Sequence, residues 1–290
     1  MNISESTRKQ FLVFQRTEIT EQHIYLRLAA VTKDAANREV LSRIAADEMR
    51  HYEQLKKATG QDVEPNRFQI WKYVTIARIL GLTFGIKLME AGEAGAQKNY
   101  NGPKDSFAPA GLMAADEIDH EQKLIGMIDE ERLRYTGSIV LGLNDALVEL
   151  TGTLAGFTLA LQNTKLIALT GLIAGIAAGL SMAVSEYFST QAEETEQHPV
   201  KAAVYTGAAY FITVLVLIAP YLIFKNYFLC LAITLMLSVM VIASFNYYIA
   251  VAKDLNFRKR FMEMTILSLS VAAISFLVGL LLRKLTGIEI

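Results

Sequence analysis

Residues 166–188 read LIALTGLIAGIAAGLSMAVSEYF, and Glu186 is the one charged residue among them. A helix needs about 20 consecutive apolar residues to cross the hydrocarbon core of a bilayer. Gly171, Gly175 and Gly179 recur at every fourth position, which gives the helix a smooth face that a second helix can approach closely. The stretch therefore predicts a closely packed transmembrane helix.

Four more apolar stretches of similar length occur between Tyr135 and the end of the chain. Together with the first they make five predicted spans, at residues 138–161, 166–188, 202–224, 227–251 and 261–282. The connections between them are short, so consecutive spans are expected to be antiparallel neighbours in one bundle. An odd number of spans places the N-terminal and C-terminal sides of this bundle on opposite sides of the membrane.

Charged residues are concentrated before the first span. Residues 1–136 hold 19 of the 28 Lys and Arg residues and 20 of the 29 Asp and Glu residues, although they are less than half of the 290 residues. We therefore predict an all-α protein, with a soluble domain at residues 1–136 and a five-helix transmembrane domain at residues 137–290.

The composition excludes several classes of protein. With 52% hydrophobic residues, the chain is neither disordered nor collagen-like. The net charge of −1, without a basic stripe, provides no surface for nucleic acid. Cys230 is the only cysteine, which excludes an intrachain disulfide, a Cys-rich zinc site and a rubredoxin-type iron site.

Basic residues beside the spans predict the orientation of the bundle. Seven lie on the side of the N-terminal domain, namely Arg132, Arg134, Lys201, Lys253, Arg258, Lys259 and Arg260, and four lie on the other side, namely Lys165, Lys225, Arg283 and Lys284. By the positive-inside rule, the N-terminal domain is expected to be cytoplasmic, and the C-terminus is expected to face the opposite side.

The soluble part has helical spacing of its apolar residues in four segments, which we predict as the four helices of a bundle: residues 4–33, 35–59, 68–100 and 108–134. The third is apolar enough to resemble a sixth span. Lys72, Arg78 and Lys87 argue against a span, because each charge near the centre of a transmembrane helix costs about 2.5–3.5 kcal/mol on insertion scales. Tyr25 and Tyr52 of the first two helices are candidates for redox-active or hydrogen-bonding groups near a metal site, but tyrosines that face a helical core usually serve packing, so we assign no role to them.

Two Glu-x-x-His pairs lie in the soluble part, Glu48 with His51 and Glu117 with His120. The i,i+3 spacing places both members of a pair on one face of a helix. The other two helices contribute Glu18 and Glu90, with Glu21 and Glu93 as further candidates one turn or less away. One such pair alone is usually a solvated helix surface, but the full set has the composition of a di-iron or di-manganese carboxylate site.

This set resembles the ferritin and rubrerythrin superfamily over residues 1–136. The resemblance implies a two-metal site with Fe²⁺/Fe³⁺ as the cofactor, and with Mn²⁺ or Zn²⁺ as alternatives. It assigns the ligands, in helix order, to Glu18, Glu48, His51, Glu90, Glu93, Glu117 and His120. It also implies iron oxidation or iron sensing.

Acidic residues also occur inside the predicted spans. Asp145 and Glu149 lie one turn apart in the first span, and Met182 and Glu186 lie one turn apart in the second. Carboxylates are costly in a membrane, so a metal ion or a proton is their expected partner. A thioether beside carboxylates suits Fe²⁺ or Mn²⁺ better than Mg²⁺ or Ca²⁺. Alternatively, Met182 fills a packing gap and Glu186 is hydrated at the interface.

Residues 137–290 resemble the vacuolar iron transporter family, also called the CCC-type transporters, in the segment around Asp145 and in the glycine-rich second span that ends at Met182 and Glu186. The resemblance implies proton-coupled export of Fe²⁺ or Mn²⁺ by a homodimer in contact with membrane lipid. Asp145 matches the family's carboxylate in the first span and Met182 its methionine in the second. The family's glutamate two turns before that methionine is replaced by Ala174, and Glu149 is a candidate substitute.

The order of the two modules resembles the membrane-bound ferritins of bacteria, which implies the plasma (inner) membrane of a prokaryote. The leading hypothesis is a divalent-metal exporter whose N-terminal domain captures, senses or oxidises iron. The alternative is a membrane-tethered di-iron ferroxidase or peroxide-scavenging enzyme without transport. A third hypothesis is a structural or sensory membrane protein, and metal flux that survives the loss of Asp145 and Glu149 would favour it.

Overall fold

The computed structural model of the chain describes residues 5–99, 131–193 and 197–286, with side chains at all of these positions except 6, 93–99, 132 and 286. All regular secondary structure in these ranges is helical. The chain divides into two compact units, residues 1–130 and residues 131–290.

The described part of the first unit contains four helices: α1 (Glu5–Val31), α2 (Ala35–Thr59), α3 (Arg67–Leu80) and α4 (Leu82–Asn99). Helix α2 begins after Asp34, whose carboxylate accepts a hydrogen bond from the backbone N–H of Asn37. It ends at Gly60, which adopts the left-handed conformation that favours glycine at helix C-termini. Local sequence signals therefore set both ends of α2.

Gly81 divides the predicted third helix in two. The prediction of one continuous helix over residues 68–100 is wrong at this position, because Gly81 has φ 111° and ψ 151°, a conformation far from helical that residues with a side chain rarely adopt. Of the predicted fourth helix, residues 108–134, only Glu131–Arg134 belongs to the described residues, where it is helical and is here called α5. The ferritin-like four-helix bundle therefore stays a prediction.

The apolar core of the first unit joins its four described helices. The largest fully buried side chains come from α1, α2 and α4, and α3 adds Ile70, Val74 and Ala77. The core side chains from the other three helices include Ile24, Tyr25, Leu28, Leu41, Ile44, Ile86 and Met89. Because these residues repeat at three- and four-residue intervals, each helix presents one apolar face to the same core.

In the described part of the second unit, five helices are long and apolar enough to cross a membrane. The first span (Thr136–Leu161) consists of α6 (Thr136–Asp145), a π-helical turn (Ala146–Leu150) and α7 (Thr151–Leu161); the others are α8 (Thr164–Ala192), α9 (Pro199–Ile223), α10 (Tyr227–Ala252) and α11 (Phe257–Thr286), the second to fifth spans. These lengths and compositions agree with the predicted integral membrane domain.

The π-helical turn lies in the middle of the first span. Its Leu147 carbonyl accepts a hydrogen bond of 2.8 Å from the buried hydroxyl of Ser268 in the fifth span. A π-helical turn widens the helix and is common at functional sites, because it displaces the side chains on either side of it. Asp145 precedes this turn and Glu149 belongs to it.

Small residues let the first three spans approach each other closely. Gly142 of the first span faces the backbone of Thr206 in the third span so closely that no Cβ would fit. On the predicted glycine face of the second span, a Cβ at Gly175 would lie 2.8 Å from a methyl group of Val214. The every-fourth-residue glycines therefore serve the packing role predicted for them: Gly175 and Gly179 pack against the third span, and Gly171 packs most closely against Leu154 of the first span.

Candidate functional site

Three of the predicted ligands in the first unit come together between α1 and α2. One ligand atom from each of Glu18, Glu48 and His51 lies within 4.8 Å of the other two, which is close enough to share one metal ion. The His51 Nδ1 lies 3.3 Å from Glu18 Oε2 and 3.7 Å from Glu48 Oε2. Glu48 is buried, whereas Glu18 and His51 are half-buried.

The cluster depends on one local and one long-range feature. The i,i+3 spacing of α2 brings His51 beside Glu48, and the packing of α1 against α2 adds Glu18. Hydrogen bonds to Glu18 and Glu48 raise the pKa of His51 to about 10, because both carboxylates favour the imidazolium form. A cationic imidazole thus lies where a divalent cation would balance the same two carboxylates.

Glu90 of α4 is held by a buried tyrosine. Its Oε1 accepts a hydrogen bond of 3.0 Å from the hydroxyl of Tyr25, a side chain with no exposed surface. Glu21 of α1 is also buried. The side chain of Glu93 and the whole of Glu117 and His120 lie outside the described residues, so their role as ligands stays a prediction.

One carboxylate of the first span, that of Glu149, has a hydrogen-bond partner in the third span. Glu149 Oε2 accepts a hydrogen bond of 3.0 Å from the hydroxyl of Tyr210, which is fully buried. Tyr210 packs against Gly179 of the second span, where a Cβ would lie 3.1 Å from its ring. Asp145 is half-buried and lies close enough to Glu149 for their carboxyl groups to interact.

Residues 136–198 match the VIT family. The matched residues comprise the first two spans and the loop after them, and all four residues predicted for transport, Asp145, Glu149, Met182 and Glu186, lie within this VIT segment. The match is to a family of vacuolar iron transporters, which indicates divalent metal transport for this part of the chain. A comparison with curated proteins finds no match.

The second pair of predicted transport residues lies at a different level of the VIT segment. Glu186 Oε1 accepts a hydrogen bond of 2.6 Å from the hydroxyl of Ser138, a buried residue near the start of the first span. Met182, one turn away, is half-buried and packs against the core of the unit. Each of the two glutamates is thus held by a hydroxyl group from a neighbouring span.

The carboxylates of the VIT segment do not converge as Glu18 and Glu48 of the first unit do. Among the described residues, Glu18, Glu48 and His51 are the only group of three His, Cys, Asp or Glu side chains whose ligand atoms all lie within 4.8 Å. Asp145, Glu149 and Glu186 instead follow one another along the spans. The shared cavity that we predict for them together with Met182 stays a prediction.

Three hydroxyl partners of the glutamates did not follow from the sequence. Ser138 and Tyr210 belong to apolar spans in which isolated hydroxyls are common, and the sequence left the role of Tyr25 open between packing and hydrogen bonding near a metal. A usable signal exists for Tyr210, which lies near the middle of the third span among mostly apolar residues. A buried tyrosine hydroxyl usually finds a hydrogen-bond partner, so a polar side chain on a neighbouring span was to be expected.

Proposed function

We propose that this protein transports Fe²⁺ and Mn²⁺ out of the cytosol in exchange for protons. The observation that carries the proposal is a pair of carboxylates, Asp145 and Glu149, one turn apart inside the first span of the VIT segment. Desolvating a carboxylate is costly, and a chain retains two of them in a span when a cation or a proton compensates the charge. The outward direction is proposed because the positive-inside rule predicts that the N-terminal domain, with its own metal ligands, is on the cytosolic side, where the ion would be collected.

The spacing of the polar groups supports movement along the span. Glu186 is level with Ser138, and Asp145 lies about 10 Å further along the first span, at about 1.5 Å per residue. Met182 lies between these two levels, and Glu149 lies one turn beyond Asp145. A divalent ion therefore has successive oxygen and sulfur ligands, none of which needs to hold it strongly.

Proton coupling rests on the chemistry of the same carboxylates. Each can bind either a proton or a metal ion, and the two compete because a protonated carboxyl group is a poor metal ligand. A metal ion that leaves Asp145 and Glu149 on the acidic side is replaced by protons. A gradient of protons then drives the metal in the opposite direction.

A homodimer is proposed because of the position of Glu149. Its side chain is exposed in the single chain, although it lies in the middle of a transmembrane segment. A carboxylate there faces a water-filled cavity or another protein surface, since contact with lipid would be too costly. A second copy of the chain would cover this face and enclose the ions between the two first spans.

The Glu18–Glu48–His51 cluster is proposed to bind iron before transport. Two carboxylates and one imidazole are ligands that Fe²⁺, Mn²⁺ and Zn²⁺ all accept, so the residues present fit such a metal. We propose that Glu90, together with Glu93, Glu117 and His120, completes a two-metal site. Bound iron would supply one-electron redox chemistry towards O₂ or peroxide. Tyr25 keeps the Glu90 carboxylate in place through its hydrogen bond.

The cluster also supports a second candidate function, a membrane-tethered ferroxidase without transport. Iron oxidation needs only the first unit, and the hydrogen bond from the buried Tyr25 to the half-buried Glu90 places a carboxylate beside the interior of that unit. Against this function, carboxylates inside the spans are not needed for tethering.

Metal flux into inside-out proteoliposomes tests the proposal. We expect the full-length protein to accumulate Fe²⁺ and Mn²⁺ when a pH gradient is imposed, and Asp145→Ala to abolish the accumulation. Oxygen consumption with Fe²⁺ is measured on the same samples, with Glu48→Gln as the variant of the soluble site. If the protein oxidises Fe²⁺ but shows no metal flux under any gradient, the transporter proposal is refuted and the tethered ferroxidase is favoured.

A further inference from the structure

Helix α3 of the first unit is apolar on two opposite faces. Its inner face, with Ile70, Val74 and Ala77, belongs to the core of the unit. At 100° per residue, Phe68, Trp71, Thr75 and Ile79 follow one another along the opposite side, and we call these four residues the outer stripe.

The large side chains of the outer stripe are in contact with solvent. Phe68 is 67% exposed, Trp71 is 62% exposed and Ile79 is 64% exposed. The rings of Phe68 and Trp71 lie 6.0 Å apart and form one continuous aromatic surface. Two neighbouring aromatic rings and an isoleucine along one face are an exposed apolar patch of the kind that marks an interaction site.

The charges of α3 have one sign. The helix contains Arg67, Lys72 and Arg78 and no acidic residue. Lys72 and Arg78 flank the outer stripe on its two sides, and Arg67 lies 4.0 Å from Glu64 in an exposed ion pair, which is a weak interaction. A stripe of aromatic and aliphatic side chains between cations is typical of a helix that lies in the interface of a membrane.

We propose that the outer stripe of α3 docks the N-terminal unit on the surface of a bilayer that contains anionic lipid. The described residues include five helices that can cross a membrane, and the first begins at Thr136, a few residues after the end of the first unit at residue 130. The unit is therefore kept near lipid. Trp and Phe side chains favour the headgroup level of a bilayer, and Lys and Arg are attracted to anionic headgroups.

Trp71 is the only tryptophan of the chain, so its fluorescence reports on the outer stripe without labelling. The full-length protein is reconstituted in vesicles of phosphatidylcholine, with and without phosphatidylglycerol, that carry brominated acyl chains. In the anionic vesicles we expect bromine to quench Trp71 and acrylamide to have little access to it. High salt should reverse both effects, since it screens the attraction to the headgroups.

A charge variant tests whether the cations of α3 hold the outer stripe on the bilayer. Lys72→Gln with Arg78→Gln keeps the outer stripe and the reporter, and we expect it to lose the quenching by brominated lipid. The matched control, Lys33→Gln with Lys57→Gln, removes two exposed cations elsewhere in the unit and should leave the quenching unchanged. Circular dichroism of both variants checks that the helices are intact.

Three results would overturn the proposal. Quenching by acrylamide but not by brominated lipid, in every vesicle, would show that the stripe stays in water. Protection from both quenchers would show that protein covers the stripe, for example a second copy of the chain. Equal quenching by brominated lipid in neutral and anionic vesicles would refute the role assigned to the cations.

Discussion

The two units of this protein arrange the same type of side chain, carboxylates, in different ways. In the first unit, Glu18 and Glu48 converge on His51 from two helices, and their ligand atoms lie within 4.8 Å of one another. In the second unit, Glu149 and Glu186 lie at different levels and each accepts a hydrogen bond from its own hydroxyl partner, Tyr210 or Ser138.

Converging and spaced ligands differ in how strongly they bind a metal ion. Ligands that converge share one ion, which binds strongly because their charges act together. Ligands spaced along a helix offer several weaker sites, and an ion must be bound weakly enough at each to leave it. The carboxylates of the first unit therefore suit capture, and those of the second suit passage.

The largest expected effect concerns the membrane carboxylates. Asp145→Asn keeps the shape of the side chain but removes its charge, and we expect metal flux in proteoliposomes to fall to the background of empty vesicles. Metal binding by the first unit should remain. The matched control is Asp254→Asn, in a loop where the φ of 52° suits asparagine as well as aspartate. Equal flux in Asp145→Asn and wild type would contradict the role of Asp145.

The second prediction concerns the Glu18–Glu48–His51 cluster of the first unit. Glu48→Gln removes one of the three converging ligands. Loss of a residue that only hydrogen-bonds to a metal ligand lowers metal affinity by about 10–100-fold, so we expect the affinity of the first unit for Mn²⁺ to fall more than about 100-fold. Glu39→Gln, on the exposed side of the same helix, serves as the control. Binding is measured by equilibrium dialysis on the full chain in an Asp145→Asn background. An unchanged affinity in Glu48→Gln would refute the metal site.

The Glu18–Glu48–His51 cluster should bind metal more strongly as the pH rises. The pKa of His51 is raised to about 10, so at neutral pH its imidazole carries a proton that a metal ion must displace. In the metal-free protein this imidazolium stabilises the fold at neutral pH, and the stabilisation is lost as the pH rises through about 10.

Displacement of one proton predicts an affinity that rises about tenfold per pH unit below that pKa. Calorimetry in two buffers of different ionisation enthalpy measures the released proton. His51→Gln is expected to abolish this release, and a release that persists in the variant would assign the proton to another group.

The smallest expected effect concerns the partner of Glu149. Tyr210→Phe removes a hydrogen bond to a charged group, which contributes about 1.5–3 kcal/mol, so we expect at least about a tenfold change in the concentration of metal that gives half-maximal flux. The control is Tyr221→Phe, a buried tyrosine of the same span whose hydroxyl instead pairs with Thr158 at 2.7 Å. If both variants change flux equally, the effect comes from packing and not from the carboxylate.

The sequence predicts much of this architecture, because helices and spans depend on local periodicity. The five spans, the short connections and the role of Gly171, Gly175 and Gly179 in packing agree with the structure. The continuity of the third predicted helix was wrong, because Gly81 breaks it, and a single glycine inside an apolar helical pattern is not a reliable sign of a break.

Each candidate site also combines a local feature, which the sequence predicts, with long-range contacts, which it does not. The sequence by itself determined that Glu48 and His51 share a face of α2, since the distance between residues i and i+3 is fixed by the helix. Only the tertiary structure decided that Glu18, 33 residues away, joins them, and that Tyr210, 61 residues from Glu149, bonds to it. The physical reason is that helical periodicity fixes which residues share a face, whereas the packing of whole helices decides which faces meet.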